Sequence, residues 1–592
     1  MSHATRHSAA VRLLARARSY DWATYRQLFT PKLVTALRSG YDADALRHDA
    51  LAGLTVAILA LPLSMAIAIG AGMTPDKGLV TAVVAGFVIS ALGGSRFQIG
   101  GPAAAFIVIV ADVAARQGYG GLMTATFIAG FLLVIAGLLR LGTYIKYIPG
   151  PVILGFTSGI GVLIGVGQFK DFLGLRGDVP ADVLPKLEAL WAARDTFSPA
   201  ALAVGLVTLA GIVGLKRVRP KWPGLLISVV AVSLKKKLLG LPVETVGTRF
   251  GGLPGSFPAP ALPDLSWATV QPVLPSAFTI AFLIGVESLL SAVAADTMAG
   301  TRHRSNMEIV AQGAANIASP IFGGLPATGV IARTGTSIAA GARTPVAGVL
   351  HALFVLLFIL LLAPVASYLA LPCLAAVLLT TAWRLLELEH IGHFLARAPW
   401  DDRVILAATT LLTVFVDLSV AIAVGVVLAS MLFMHRMAET PGVHLGTGPL
   451  VLEDKVDGTV PRSAVMSIEL PPGVRVFDFR GPLFFGASAR IGTVLKALGD
   501  WPKVLILRMR EVPLIDATAI EALQEIAVLS QRHGCRIIIA GLQAQPREAL
   551  HRYGFLRENR IALAPTSAIA LEKARAVLGK SPRMPHEKHG QP

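Results

Sequence analysis

From Leu51 to about Met437 the chain is a succession of apolar stretches, many as long as a bilayer is thick. "LAGLTVAILALPLSMAIAIGAG", "LMTATFIAGFLLVIAGLLRL" and "GPVILGFTSGIGVLIGVGQF" each offer the roughly 20 residues that a transmembrane helix needs. "VILAATTLLTVFVDLSVAIAVGVVLASMLF" is long enough for two spans. Inside a bilayer every backbone polar group must be satisfied internally, so such a region folds as a bundle of helices. Only 15% of the 592 residues are charged, against about 25% in ordinary soluble domains. The deficit is confined to the apolar region, and the last third alternates apolar and charged residues. The expected organisation is a basic cytoplasmic N-terminal region at 1–48, a transmembrane domain at 49–436, a linker at 437–458, a soluble domain at 459–580 and a disordered tail at 581–592.

The net charge of +17 would prompt a search for nucleic-acid binding in a soluble chain. Here it follows from Lys and Arg collecting in cytoplasmic loops, and no nucleic-acid partner is expected. The first fifty residues carry eight Arg or Lys against four Asp and no cleavable signal core, so the N-terminus is expected inside. On that topology the loops with Arg140 and Lys146, Lys216 to Lys221, Arg302 and Arg304, and Arg397 and Arg403 all fall inside. Lys235, Lys236 and Lys237 face outward and object. Two cysteines, Cys373 and Cys535, suggest neither a disulfide framework nor a metal cluster.

Two short apolar pieces break the pattern of full-length spans. "IGGPAAAF" and "GGLPATGVIAR" each set glycines and a proline before an abbreviated run, and Pro102 and Pro326 lie about 224 residues apart. The same offset relates Leu63 to Glu287. Interrupted segments at matching places in two halves point to a transporter's binding site. With these pieces the region holds about fourteen elements. A half-helix that starts near the midplane aims unpaired N–H groups and partial positive charge at its start, which favours an anion there. Arg333 would add a full charge, unless it snorkels to the surface or pairs structurally with an acid. Glu287, with Ser291 one turn away, is suited to carry a proton; the alternative is a fixed ion pair with Arg333.

Asp296, Asn306, Gln312 and Asn316 read as loop structure and capping around an inside loop, without a transport role. His390 and His393 read as loop residues, and "HEKH" near the C-terminus lacks the zinc-site spacing. In the soluble part "VRVFDFRGPLFF", "VLILRMREV" and "CRIIIAGL" predict strands, and "SARIGTVLKALG" and "ATAIEALQEIAVLSQRHG" predict helices, an α/β layer. Asp516 and Thr518, with Glu521 three residues after Thr518, read as a capping box. No Walker loop, dinucleotide fingerprint, nucleophile–base pair or metal constellation appears, so neither an enzyme nor a nucleotide-driven pump is expected.

"ESLLSAVAADTMAGTRHRSNMEIVAQGAANIASPIFGGLPATGVIARTGTSIAAGARTP", with "DALAGLTVAILALPLSMAIAIGAG" and "GGPAAAF", resembles the SulP (sulfate permease) family of anion transporters, related to prestin and pendrin. "VPLIDATAIEAL" resembles the signature loop of a STAS domain. The resemblance implies an all-α polytopic domain of fourteen segments in a seven-plus-seven inverted repeat, with core and gate subdomains, followed by a cytoplasmic α/β STAS domain. It implies a bacterial inner membrane location with both termini cytoplasmic, a homodimer and a cytosolic partner for the STAS domain. Carried over by position, the substrate site comprises Leu63, Ile67, Ala103, Ala104, Ser291, Gly329, Ala332 and Arg333, with Glu287 as the proton-coupling residue.

Several positions depart from the relatives. Animal members have a serine at Ala332, a glutamine is common at Leu63, and aromatics are common at Ile67 and Ala103. Sodium-coupled bicarbonate members have an aspartate at Glu287 and a threonine at Ile331, so the resemblance favours a proton over sodium here. Ala517 replaces a serine that regulatory relatives phosphorylate. The expected function is secondary active transport of a small anion (sulfate, bicarbonate or a dicarboxylate) by proton symport, through a rocking or elevator movement, with no other cofactor. The alternatives are an uncoupled or exchanging anion pathway, or an anion-sensing receptor that signals through its STAS domain.

Overall fold

The computed structural model describes residues 28–143, 149–177, 179–180, 182–219, 222–439, 443–446, 450–452, 466–468, 470–484, 501–559 and 561–579. The expected helix at 488–499, most of the linker, the tail with "HEKH", Lys146 and Lys221 lie outside the described residues. The chain divides into two compact units, Met1–Ala429 and Ser430–Pro592.

The first unit is helical. Its apolar series runs α1 Ala43–Gly70, α2 Pro75–Leu92, α3 Ile107–Leu138, α4 Gly150–Leu173, α5 Pro199–Val218, α6 Gly224–Leu238 and α7 Trp267–Ala299. It continues with α8 Ser305–Ile321, α9 Ile331–Ala339, α10 Val346–Ala366, α11 Leu371–Leu385, α12 Leu388–Arg397, α13 Trp400–Phe415 and α14 Leu418–Glu439. Among the described residues eight helices are long and apolar enough to cross a membrane. Two breaks in the chain raise the number of segments. Gly118, at φ 70°, folds α3 into two segments. Val416, outside helical geometry, separates α13 from α14, where the sequence places two spans. With α3 counted as two and α12 set aside, the expected fourteen segments are present.

Packing sorts these helices into two groups. α1, α2, α3, α7, α8, α9 and α10 pack on one another as a core group. α4, α5, α6, α11 and α13 form the second group, joined to the first mainly where α11 and α6 meet α1. α12 has no buried residue, and it carries His390 and His393; these are helical, correcting the expectation of a loop. The run Lys235 to Lys237 closes α6, where cations complement the negative end of the helix dipole. Lys237 Nζ also lies 3.6 Å from the centre of the Tyr368 ring, so the basic run has a local reason to be there.

The second unit contains a sheet in the order β3-β6-β7-β8-β9, formed by β3 Val443–Gly446, β6 Val474–Arg480, β7 Val504–Glu511, β8 Arg536–Ala540 and β9 Ala562–Ala564. β4 Leu450–Leu452 and β5 Met466–Ile468 pair separately. β6 to β9 are parallel and β3 is antiparallel to β6. Side chains alternate across the sheet. Leu505 and Leu507 join Ile520, Leu523 and Ile526 of α15 Ala517–Arg532 in one core. Val504 and Ile506 join Ala570 and Ala574 of α17 Ser567–Val577 in the other; α16 Ala544–Arg552 lies between these helices in sequence. Asp516 caps α15 by accepting from the Ala519 N–H. The helix therefore begins too early for Thr518 to be its cap, and the Thr518–Glu521 box is not made.

Candidate functional site

The two glycine–proline breaks meet. β1, Gly100–Gly101, and β2, Thr328–Gly329, form a two-residue antiparallel pair with Gly100 opposite Gly329. Each strand leads into a shortened helix: Ala104–Phe106 and then α3 on one side, α9 on the other. A chain that leaves helical geometry in a membrane must find partners for its freed backbone groups. Here each break serves the other. The Val330 N–H donates to the Ile99 carbonyl at 3.0 Å, and the Ile99 N–H to Thr334 Oγ1 at 3.1 Å.

α7 braces this crossing. Gln98 Nε2 donates to the Ser288 carbonyl at 3.1 Å, Thr328 Oγ1 to the Ile284 carbonyl at 3.4 Å, and Ser291 Oγ lies 3.5 Å from Thr334 Oγ1. The backbones approach so closely that two positions admit only glycine. A Cβ on Gly329 would stand 1.4 Å from Gln98 Nε2. At Gly101, φ is 153° and a Cβ would stand 2.2 Å from Arg333 Nη1.

Arg333 is fully buried. Its Nη2 donates to Ser64 Oγ on α1 at 2.9 Å and to the Pro102 carbonyl at 3.4 Å. The arginine of the second half-helix thus reaches the start of the first. Its guanidinium lies inside the core group and does not snorkel to a surface. Among the described residues Nε and Nη1 have no hydrogen-bond partner, and Glu287 Oε2 has none either. The fixed Glu287–Arg333 ion pair is therefore not formed.

The other expected residues divide by exposure. Leu63, Ile67 and Ala103 are buried in one hydrophobic cluster, and Ala104 packs against it half-buried. Pro62, inside α1, removes one N–H from the helical ladder just before Leu63 and Ser64. Ser291 and Gly329 are buried in the crossing, Glu287 is half-buried, and Ala332 and Ile331 are exposed at the start of α9. The structure thus brings α1, both half-helix starts, α7 and α9 together. The sequence reading passed over Ser64, Gln98 and Thr334, each a polar residue within an apolar run, the feature that marked Glu287 and Arg333.

A cavity of about 700 Å³ opens beside Val108 and Ile109, one turn beyond the first half-helix start. Asp112, Arg116 and Gln117 line it on α3, and Thr413 to Leu418 face it from the second helix group. It separates the two groups on one side of the crossing. Among the described residues no cluster of His, Cys, Asp and Glu has the composition of a metal site.

Two broken helices crossing over a buried arginine, within a bundle of apolar helices that precedes a parallel-sheet domain, define a membrane transporter with a soluble appendage. The chain belongs to the sulfate permease family, whose profile matches residues 46–409, and a STAS domain follows at 466–568. It is 38% identical over 523 residues to YvdB of Bacillus subtilis, provisionally named a sulfate transporter, covering 88% of this chain and 96% of that one. It is 28% identical over 520 residues to the bicarbonate transporter BicA of Picosynechococcus, covering 86% of this chain and 90% of BicA. The murine Solute Carrier 26 family member A9 anion transporter, in its inward-facing state, shares the fold. The TM-score is 0.83 at 19% identity, over 94% of this chain and 96% of that one.

Proposed function

We propose that this protein is a secondary active transporter of a small anion of the sulfate, bicarbonate or dicarboxylate class, driven by proton symport. The observation that carries the reading is the buried Arg333 behind two half-helix starts. Each start presents N–H groups without an intrahelical acceptor and the positive end of a helix dipole. The guanidinium, hydrogen-bonded to the Pro102 carbonyl in the first lead-in, adds a full positive charge beside them. An anion between the starts offsets the cost of burying that charge. Two relatives are named for sulfate and for bicarbonate, which supports the class and leaves the choice within it to experiment.

Glu287 is the proton carrier in this reading. Among the described residues its Oε2 has no partner, so a proton taken up there breaks no existing contact. A carboxylate held apart from Arg333 loads and releases a proton as the site changes its access. Movement of the core group against the second group, across the cavity between them, carries the anion in a rocking or elevator step. The basic loops support a cytoplasmic N-terminus and STAS domain, and the Bacillus relative supports a bacterial plasma membrane; the homodimer is carried over from the family resemblance.

Uptake of sulfate and bicarbonate into proteoliposomes with an imposed pH gradient tests the reading. Wild-type protein accumulates anion when the outside is acidic, whereas Glu287→Gln equilibrates it without accumulation. Unchanged accumulation and pH response in that variant would refute proton coupling and favour the exchanging pathway. A sodium requirement would transfer the coupling role to sodium.

A further inference from the structure

One face of α8 carries Glu308, Gln312 and Asn316 at helical spacing, and all three are fully buried. Gln312 Nε2 donates to Glu308 Oε1 at 2.8 Å, and Asn316 Nδ2 donates to the Gln312 carbonyl at 2.8 Å. Glu308 and Gln312 are joined through their side chains, and Asn316 through the Gln312 backbone carbonyl, so the three residues form one hydrogen-bonded column along the helix. Its two ends go to different places. At one end Glu308 Oε2 accepts from the Ser95 N–H at 2.9 Å, in the segment that leads into β1. At the other end the Asn316 amide closes on the backbone of Ala327, next to β2. Its Nδ2 donates to the Ala327 carbonyl at 2.7 Å, and its Oδ1 accepts from the Ala327 N–H at 2.9 Å. One turn further on, Ser319 Oγ donates to the Leu325 carbonyl at 2.7 Å, and the Leu325 N–H donates to Thr81 Oγ1 at 2.7 Å.

We propose that Glu308, Gln312 and Asn316 are positioning residues of the anion site: one polar column on α8 that holds the lead-ins of both half-helices and so keeps their starts in register. This inference rests on the reading of the crossing as an anion site. The physical case is one of satisfaction. Buried backbone groups left without partners are costly, and each lead-in has left helical geometry. The column supplies partners to both from a single rigid element, so displacement of one lead-in is felt by the other. An anion held by two half-helix starts is sensitive to such displacement, because its hydrogen bonds form only over a few tenths of an ångström. The carboxylate of Glu308 is an acceptor here, with both oxygens engaged, and it carries no transported proton. Gln312 Oε1 has no partner, which leaves room for the amide to turn over.

Five preparations of the full-length protein test the column: wild type, Glu308→Gln, Glu308→Leu, Asn316→Leu and Asn316→Asp. Uptake of radiolabelled sulfate and bicarbonate is read as KM and maximal rate, and backbone hydrogen exchange is read at 99–101 and 327–330. Glu308→Gln keeps KM within about twofold, since a turned Gln312 amide accepts from the new N–H. Glu308→Leu and Asn316→Leu raise KM about tenfold and speed exchange in both segments, including the one remote from the substitution. Asn316→Asp behaves as Asn316→Leu, because its carboxylate faces two carbonyls where a donor stood.

Three results would overturn the proposal. The first is loss of KM in Glu308→Gln equal to that in Glu308→Leu, which would make the charge itself essential. The second is exchange that quickens only in the nearer segment. The third is a fall in maximal rate with KM and exchange unchanged. If wild-type protein takes up neither anion, the transport reading fails, and the exchange pattern still decides whether the column couples the two lead-ins.

Discussion

Arg333 and Ser64 are 269 positions apart in sequence, and their side chains are joined by a hydrogen bond of 2.9 Å in the centre of the membrane unit. This bond and the weaker one to the Pro102 carbonyl set the direction of the guanidinium. Ser64 belongs to α1 and Pro102 to the lead-in of the first half-helix, so one cation ties three elements together.

Ser64→Ala removes the shorter of these bonds and leaves a third nitrogen of a buried guanidinium without that partner. The expected cost is about 1–3 kcal/mol, seen as a lower thermal unfolding temperature in detergent and a raised KM for anion uptake. Arg333→Lys is more severe, because a compact ammonium on a flexible stem is not held in the plane that places Nη2 between Ser64 and Pro102. Uptake falls at least about tenfold, and stability equal to wild type in both variants would contradict this account.

Gly329→Ala and Gly101→Ala are expected to disrupt the crossing for separate reasons. At 329 the new methyl occupies the position of the Gln98 amide, which must leave its bond to Ser288. At 101 it meets the Arg333 guanidinium in a backbone conformation that disfavours a side chain. Each substitution costs about 2 kcal/mol or more. Gly150→Ala, where nothing lies within 4 Å of an added Cβ, serves as the control. Comparable melting temperatures for all three variants would mean that the crossing is looser than described.

Asp49 holds the end of α1 to the loop after α9. Fully buried, it accepts from the N–H groups of Arg343 and Thr344 at 2.7 and 3.0 Å, from Thr344 Oγ1 at 2.5 Å and from the Tyr41 hydroxyl at 3.2 Å. Asp49→Ala strands several buried donors and lowers stability by about 3 kcal/mol or more. Asp49→Asn retains a shape that accepts some of them and loses less. Proteolysis of the segment 340–345, measured for both variants, should follow that order.

The soluble domain has its own pH signature. Burial pushes the Cys535 thiol up from 9.0 to about 11. A folded-state value above the unfolded one means that the folded form holds its proton more tightly. The contribution is complete below about pH 9 and is lost as pH rises toward about 11. Cys535 therefore reacts slowly with alkylating reagents at pH 8 in the native protein and faster only above that window. Site-resolved mass spectrometry of the full chain checks this, and rapid labelling at pH 8 would show that the thiol is not buried.

Much of this architecture was legible in the sequence because its causes are local. Apolar runs of span length become helices wherever a bilayer forbids free backbone groups, and α1, α3 and α7 lie where those runs lie. Proline and glycine end helices by their own stereochemistry, so the breaks before Ala104 and Ile331 were visible. The strands of the soluble domain followed from alternation of side chains. Its cap was misread, because Asp516 and Thr518 are both good capping residues and only the backbone path selects one.

Read along the chain, the residues specify an inventory: the spans, the two interrupted helices, an arginine and a glutamate among apolar residues, and an α/β domain after them. The pairing of these parts arises in the fold. Gln98 meets Ser288 across 190 residues, Glu308 meets Ser95 across 213, and Arg333 turns toward Ser64 and leaves Glu287 unpaired. Such partners are chosen by how whole helices pack, since a hydrogen bond tolerates only a few tenths of an ångström. Composition and spacing carry no information at that precision. The polar residues of α8 show the difference: along the chain they read as loop and cap chemistry, and in the fold they reach both half-helices at once.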